Sequence, residues 1–247
     1  MTDYQPPPQR SRRFERWPDA EYDAALHLLD RQIVDRDGRM VAKVDDVELS
    51  VASDGTLVAT GLRVGLPALL PRFGPRLGGL LTRTHAHVHV AQADRVVPDV
   101  VDLAQVADVS SEVHLSVGRA DLLRARHDGA SRPERIGLAD LLGRPVRTAG
   151  TAAATLHRRS QVLDVRLGCP PGGVPHQVTA LLVGPGRPGA LLGYDRSSEP
   201  GPWLVGTLVR WLHRHARVVE LGKGVELSLR AGEVRIGEGA SLLPPRG

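Results

Sequence analysis

The chain has 247 residues, 41% of them hydrophobic, which is enough apolar material for one large domain or two small ones. Only 3% of the residues are aromatic, so valine, leucine and alanine have to fill the core. The formal charge is +4, but the 30 arginines are scattered along the chain. That scatter favours a GC-rich genome over a concentrated nucleic-acid-binding patch as the source of the excess.

The compartment is indicated by cysteine usage and by the distribution of apolar residues. A single cysteine, Cys169, excludes an internal disulfide and fits a reducing environment. The first residues lack the apolar core of a signal peptide. The most apolar window, residues 62–81, is interrupted by Arg63, Arg72 and Arg76, so it falls short of the roughly 20 apolar residues that span a bilayer. We therefore expect a cytoplasmic protein without an integral membrane segment.

Residues 1–22 have the composition of a disordered basic arm. Three prolines at positions 6–8 are followed by Arg10, Arg12, Arg13 and Arg16. Such a segment cannot bury enough apolar surface to order itself. A solvated tail is the simpler interpretation, and contact with an acidic partner or a nucleic acid is the alternative.

The most informative pattern is an internal duplication. Its three blocks recur in the same order at offsets of 113, 118 and 119 residues. Residues 28–33 match 141–146, residues 46–49 match 164–167, and residues 60–65 match 179–184. Collinear blocks at a nearly constant offset predict two copies of one structural unit.

The first copy, residues 23–117, reads as a series of short strands. Asp37-Gly38 and Asp54-Gly55 are hairpin signals, because glycine supplies the positive φ of primed turns. Between them, residues 46–51 alternate polar and apolar, which is the period of a half-buried strand. Residues 58–64 predict the next strand, and the valine-rich stretch 96–115 predicts the closing ones.

The second copy, residues 136–240, repeats this order after a polar linker at residues 118–135. Apolar residues alternate over positions 163–169, and residues 178–183 form an apolar run that predicts a strand buried on both faces. A helix is predicted from Pro202, and strands over 218–229 and 234–236. Residues 241–247 are left as a tail.

The motifs of the first copy resemble the PRC-barrel family. They are residues 28–34, the turn Asp37-Gly38, residues 42–49 and residues 60–65. In the second copy, residues 148–150 replace the turn and residues 156–159 replace the segment around Lys43.

The resemblance implies a mainly β fold of two tandem small barrels, six-stranded in this family. Each barrel would carry a short helical or loop insertion. PRC barrels occur in a ribosome-maturation protein and in the photosynthetic reaction-centre H subunit, where they serve as docking or scaffold modules without known catalytic machinery of their own.

No motif in the sequence meets the requirements of a catalytic or cofactor-binding site. Residues 184–189 fit G-x-G-x-x-G, but Pro185 and Pro188 remove backbone donors that pyrophosphate requires, and the stretch that follows is too short for the helix. No nucleophile elbow is present. Asp46 and its counterpart Asp164 are interpreted as structural acceptors of a turn hydrogen bond, and Cys169 as a core residue. The sequence thus predicts no catalytic, cofactor or metal site.

The alternating histidines His85, His87 and His89 would share one face of a strand. That placement could hold a metal, but no carboxylate or cysteine lies nearby, so a solvent- or partner-facing edge is the preferred interpretation.

On the proposed helix from Pro202, Trp203 and Trp211 lie eight residues apart, with Arg210 beside them. They either plug a barrel end or dock a partner.

The sequence therefore predicts a non-catalytic intracellular interaction or scaffold protein that binds another protein, with His85, His87, His89, Trp203, Arg210 and Trp211 as candidate contact residues. An RNA- or ribosome-associated factor is the first alternative, and a peripheral membrane adaptor the second. A groove between the two packed copies is the expected binding surface. The oligomeric state and the partner stay open.

Overall fold

A computed structural model of the chain describes residues 21–52, 55–65, 100–122, 135–149, 155–171, 173–185, 216–222, 225–228 and 233–244. We call the described residues up to 122 the first half and those from 135 onward the second half. The fold is mainly β. The helices are α1 (Ala24–Leu28), α2 (Arg119–Leu122) and α3 (Leu138–Leu141), with a 3-10 turn at Leu103–Gln105.

The strands of the first half are short and follow one another closely. They are β1 (Tyr22–Asp23), β2 (Gln32–Val34), β3 (Met40–Lys43), β4 (Asp46–Val51), β5 (Leu57–Arg63), β6 (Val100–Asp102), β7 (Val106–Val109) and β8 (Val113–Leu115). Those of the second half are β9 (Arg135–Gly137), β10 (Val146–Thr148), β11 (Gln161–Gly168), β12 (Gln177–Gly184), β13 (Arg217–Glu220), β14 (Val225–Ser228), β15 (Glu233–Ile236) and β16 (Leu242–Leu243).

These strands form three sheets. The largest has the order β1-β11-β12-β5-β4-β9, with β6 on β5, β13 on β12 and β16 on β13. A four-stranded sheet has the order β3-β2-β8-β7, and a three-stranded sheet the order β10-β15-β14. The large sheet runs through both halves, and none of the sheets closes into a barrel within the described residues. The prediction of two separate barrels is therefore not confirmed.

The local signals for hairpins are confirmed. Gly38 has φ +75° in the turn between β2 and β3, and Gly55 has φ +83° in the turn between β4 and β5. Both turns close with a backbone bond, from the Gly38 N–H to the Asp35 carbonyl and from the Gly55 N–H to the Ala52 carbonyl, each at 2.9 Å. Glycine is needed at these two positions because other residues rarely adopt that backbone conformation.

The two halves pair their strands in the same pattern. β2 runs parallel to β8 in the first half, as β10 does to β15 in the second. β4, β5 and β6 form an antiparallel series, as do β11, β12 and β13. Even a positive φ recurs at matching places, +66° at Asp30 and +79° at Gly143.

The segment that begins each half lies on the other half. β1 pairs with β11, so Tyr22 faces Leu167, and α1 packs on the same strand. β9 pairs with β4, so Gly137 faces Glu48, and α3 packs on β4. We call residues 22–28 the first leading segment and residues 135–141 the second leading segment. Their exchange explains why one sheet passes through both halves.

The hydrophobic core is shared as a result. One continuous cluster joins buried side chains from both halves. Leu28 of the first leading segment and Leu141 of the second are almost fully buried in it. Burying a leucine contributes about 2 kcal/mol, so each leading segment is held largely by apolar contact.

The prediction of a half-buried strand at residues 46–51 needs correction. Residues 46–50 are all buried, so β4 is not half-exposed; its polar side is covered by arginine side chains and by α3. The ends of the predicted linker belong to α2 and β9. Part of the predicted tail forms β16, which pairs with β13. In the part of the chain that the structure describes, no helix has the length and hydropathy to cross a bilayer.

Candidate functional site: a groove where the halves meet

A groove of about 1010 Å³ opens on the large sheet. The turn before β5, at residues 55–57, supplies one wall from the first half. The second half supplies the floor from residues 177–180 of β12 and the opposite wall from residues 218–222. The groove therefore lies at the junction of the two halves.

The groove exists because two strands share one edge of β12. The other edge of β12 is paired with β11 along its length. On the shared edge, β5 pairs only at Gln177 through Val58, whereas β13 pairs with residues 180–183. Two backbone bonds mark where the strands part, from Ala59 N–H to the His176 carbonyl at 3.0 Å and from Leu221 N–H to the Thr179 carbonyl at 2.8 Å.

The rim of the groove is acidic. Glu21 and Glu220 are exposed on it. Its arginine, Arg166, donates from Nε and Nη2 to the two carboxylate oxygens of Asp23 at 2.9 and 3.3 Å. These bonds raise the pKa of Arg166 and neutralise its charge locally. Among the described residues, the groove therefore offers more negative than positive charge to an incoming ligand.

Polar and apolar atoms share the remainder of the groove. Leu243 leaves 41% of its surface exposed there, and three prolines, Pro170, Pro171 and Pro244, contribute rigid edges. Cys169 is half-buried beside them, so its prediction as a core residue is wrong. The floor has mixed polarity, since Gln177 and Thr179 are partly exposed on it while Val178 and Ala180 are buried. Such a floor with an acidic rim suits an extended chain that carries polar, apolar and basic side chains.

Next in the chain to the groove-lining residues Glu21 and Gln177, a buried polar pair ties β1 to the start of β12. The Tyr22 hydroxyl lies 2.8 Å from His176 Nδ1, and both side chains are buried. Burial lowers the pKa of His176 to about 4 and raises that of Tyr22, so both groups are neutral near pH 7. A neutral hydrogen-bonded pair of this kind fixes the position of β1 against the start of β12.

Two buried aspartates hold the leading segments on either side. Asp164 Oδ1 and Oδ2 accept the N–H groups of Ala25 and Leu26 at 2.7 and 3.0 Å, and Asp46 Oδ1 accepts that of Ala139 at 2.9 Å. They satisfy N-terminal N–H groups of α1 and α3 that have no partner within the helix. The prediction of a structural role is confirmed, although the bonds cap helices rather than turns.

Burial changes the acidity of both aspartates. It raises the pKa of Asp164 to about 7 and that of Asp46 to about 6, despite the opposing effect of the N–H donors. The Oδ2 atom of Asp46 is buried without a hydrogen-bond partner. The Arg63 Nη1 atom lies 3.8 Å from it, a distance that gives electrostatic attraction but no hydrogen bond.

The six predicted contact residues all lie outside the described residues. They are His85, His87, His89, Trp203, Arg210 and Trp211. The glycine-rich stretch 184–189 also lies outside the described residues from position 186 onward. Within the described ranges, no group of three or more histidine, cysteine or acidic side chains is arranged to hold a metal ion.

Sequence reasoning missed the residues that build the groove. Thr179 belongs to a recurring block, but nothing in the block indicated that its strand would be shared by two neighbours. Arg166 and Asp23 are 143 positions apart, and no local pattern pairs them. Comparison of the sequence with protein-family models and with curated proteins finds no match to either.

Proposed function

We propose that this protein is a non-catalytic interaction module that binds an extended segment of a partner protein in the groove between β5 and β13. The observation that carries the proposal is the division of one edge of β12 between those two strands. The division leaves a groove walled by both halves. Clefts at such junctions are where proteins commonly bind their ligands.

The charge and polarity of the groove indicate which kind of partner segment would bind there. Its acidic rim, with Arg166 already neutralised by Asp23, favours a positively charged segment. The exposed Leu243 and the prolines at the edges of the groove favour apolar side chains in that segment. A partner segment that alternates arginine with aliphatic residues matches both features, since an extended chain presents its side chains to opposite sides.

We further propose that both halves descend from one PRC-barrel-like unit. The matching strand pairings and the positive φ shared by Asp30 and Gly143 support a common origin. A docking role for the whole protein agrees with the role of such barrels elsewhere.

The proposal is tested with synthetic ten-residue peptides that alternate arginine, glutamate or serine with valine. Fluorescence anisotropy with the full chain should show binding of the arginine series and weaker binding at high salt. Glu220→Lys and Thr179→Arg should each weaken binding by about tenfold or more, the first by charge and the second by filling the floor. Glu112→Lys, on the turn between β7 and β8, is the matched control and should bind as the wild type does.

Two results would contradict the proposal. One is equal affinity for the arginine and glutamate series. The other is a loss of binding that Glu112→Lys shares with the groove variants. If an RNA oligonucleotide binds with a steep salt dependence that Glu220→Lys leaves unchanged, the RNA-associated alternative is favoured instead.

A further inference from the structure

The two leading segments are held by ion pairs of opposite polarity. In the first leading segment, Asp23 accepts from Arg166 of β11, the nearer contact being 2.9 Å. In the second, Arg135 donates from Nη1 to Glu48 of β4 at 2.7 Å. The acid thus sits on the leading segment at one junction and on the receiving strand at the other.

Glu48 and Arg166 occupy matching places on their strands. Each lies two residues after a capping aspartate, Asp46 on β4 and Asp164 on β11. Both side chains are well shielded: Glu48 exposes 7% of its side chain and Arg166 exposes 15%. In shielded positions the attraction of opposite charges, and the repulsion of like charges, is stronger than at the surface.

The polarity decides which half a leading segment can join. If the first leading segment lay on its own half, Asp23 would face Glu48. If the second lay on its own half, Gly137 would lie opposite Arg166. Arg135, which lies opposite Ser50 and reaches diagonally to Glu48, would then reach Arg166 instead. Like charges this close on adjacent strands repel each other. Glu48 would keep its contact with Arg63 of β5, whose Nη2 lies 3.5 Å from Glu48 Oε2, but would lose Arg135. The two matched aspartate caps would accept either helix, so they do not distinguish the arrangements.

We infer that these reversed ion pairs make the halves obligate partners of opposite kind, so that a first half joins a second half and never another first half. This is an interaction surface with a defined occupant, independent of what binds the groove. The attraction at each junction and the repulsion in the alternatives act together, as in other interfaces where specificity needs both.

The test uses the full chain with a protease site placed in the stretch 123–134, cleaved after the protein has folded. Size-exclusion chromatography and native mass spectrometry should show one complex containing one first half and one second half. Separation of the halves after cleavage, or complexes of two identical halves, would overturn the inference.

Charge-exchange variants test the role of polarity. Glu48→Arg combined with Arg166→Glu places like charges at both junctions and should weaken association of the cleaved halves by about tenfold or more. Adding Asp23→Arg and Arg135→Glu restores opposite charges at both junctions and should recover most of the affinity. Both variants lose the contact of Glu48 with Arg63 inside the first half, so the difference between them reports the junction pairs. If the fourfold variant associates no better than the twofold one, or the twofold one matches the wild type, the inference fails.

The matched control reverses an ion pair that lies within one half. Lys43 Nζ lies 3.0 Å from Asp30 Oδ1, both in the first half. Lys43→Glu should leave association of the cleaved halves unchanged, because that pair does not cross between them. A loss of affinity equal to that of the twofold variant would show that net charge, not the junction pairs, controls association.

Discussion

Asp46 and Asp164 cap helices that belong to the opposite half of the molecule. Asp46 lies on β4 and accepts the Ala139 N–H, 93 residues away, whereas Asp164 lies on β11 and accepts the Ala25 N–H, 139 residues away. Each aspartate therefore joins a receiving strand to a leading segment from the other half. The relationship links the recurring sequence blocks to a reciprocal packing of the chain.

The difference between wild type and Asp164→Asn should depend on pH. Burial raises the folded-state pKa of Asp164 to about 7, above its ordinary value of 3.8. A raised pKa means that the folded protein binds the proton more tightly than the unfolded chain does. The stability contribution of this carboxyl is therefore present below pH 4 and is lost as the pH rises towards 7.

The measurement is urea unfolding of both proteins between pH 4 and pH 8. The free energy of unfolding of the wild type should fall relative to that of Asp164→Asn by up to about 1 kcal/mol per pH unit across that window. A difference that is constant with pH, or that grows in favour of the wild type, would contradict the assignment.

The two aspartates should respond differently to neutral replacement. At pH 8 both are ionised, but only Asp164 uses both oxygens as acceptors, whereas Oδ2 of Asp46 has no hydrogen-bond partner. Asparagine keeps one acceptor and introduces an NH₂ group, which would oppose the Leu26 N–H at position 164. Asp164→Asn should cost about 1–3 kcal/mol of unfolding free energy and Asp46→Asn less than about 1 kcal/mol. Chemical denaturation checks the order, and equal losses would refute it.

Gly137→Ala should be strongly destabilising. An added Cβ at this position would overlap Asp46 Oδ2 and lie 3.1 Å from Arg63 Nη1, where the second leading segment meets β4. The cap to Ala139 would have to move, so we expect a loss of about 1–3 kcal/mol in thermal or chemical unfolding. Gly222→Ala is the control, because a Cβ there meets nothing within 4 Å. If both variants unfold alike, the close approach is not what the glycine is needed for.

His176 should stay neutral across the physiological range. Burial lowers its pKa to about 4, so the folded protein binds this proton less well than the unfolded chain does. Stability attributable to His176 is therefore present above pH 6.5 and is lost as the pH falls towards 4. An NMR titration of the ring should give a midpoint near pH 4, and a midpoint near 6.5 would place the ring in water.

Tyr22→Phe tests the partner of His176. It removes the hydroxyl that lies 2.8 Å from His176 Nδ1 and leaves a buried ring nitrogen without this partner. We expect a loss of about 1–3 kcal/mol by chemical denaturation. A change within about 0.5 kcal/mol would mean that the hydrogen bond is replaced at no cost, as at a solvent-exposed site.

Local structure was largely predictable from the sequence. Alternation and turn glycines predicted β4, β5, β11 and β12. The recurrence of one block predicted that residues 28–33 and 141–146 share a conformation, and the positive φ values of Asp30 and Gly143 agree with this. These features depend on neighbours in the chain, which short patterns describe well.

The exchange of leading segments could not be predicted. α1 and α3 span five and four residues, too short for helical periodicity to register. Strand alternation indicates which face of a strand is buried but not which strand lies next to it. No local sequence pattern therefore indicated that Tyr22 pairs with Leu167 or that Gly137 pairs with Glu48. The groove depends on that exchange and on the shared edge of β12. It could not be predicted either, because both features depend on which strands are neighbours.

Native-state hydrogen exchange of the full chain tests the reciprocal packing most directly. Asp164→Ala should speed amide exchange at Ala25 and Leu26 in the first leading segment, while Asp46→Ala should do so at Ala139 in the second. Each effect should appear in the half opposite to the substitution. If faster exchange is confined to the neighbours of residues 164 and 46 in their own halves, the leading segments are not exchanged and the account is wrong.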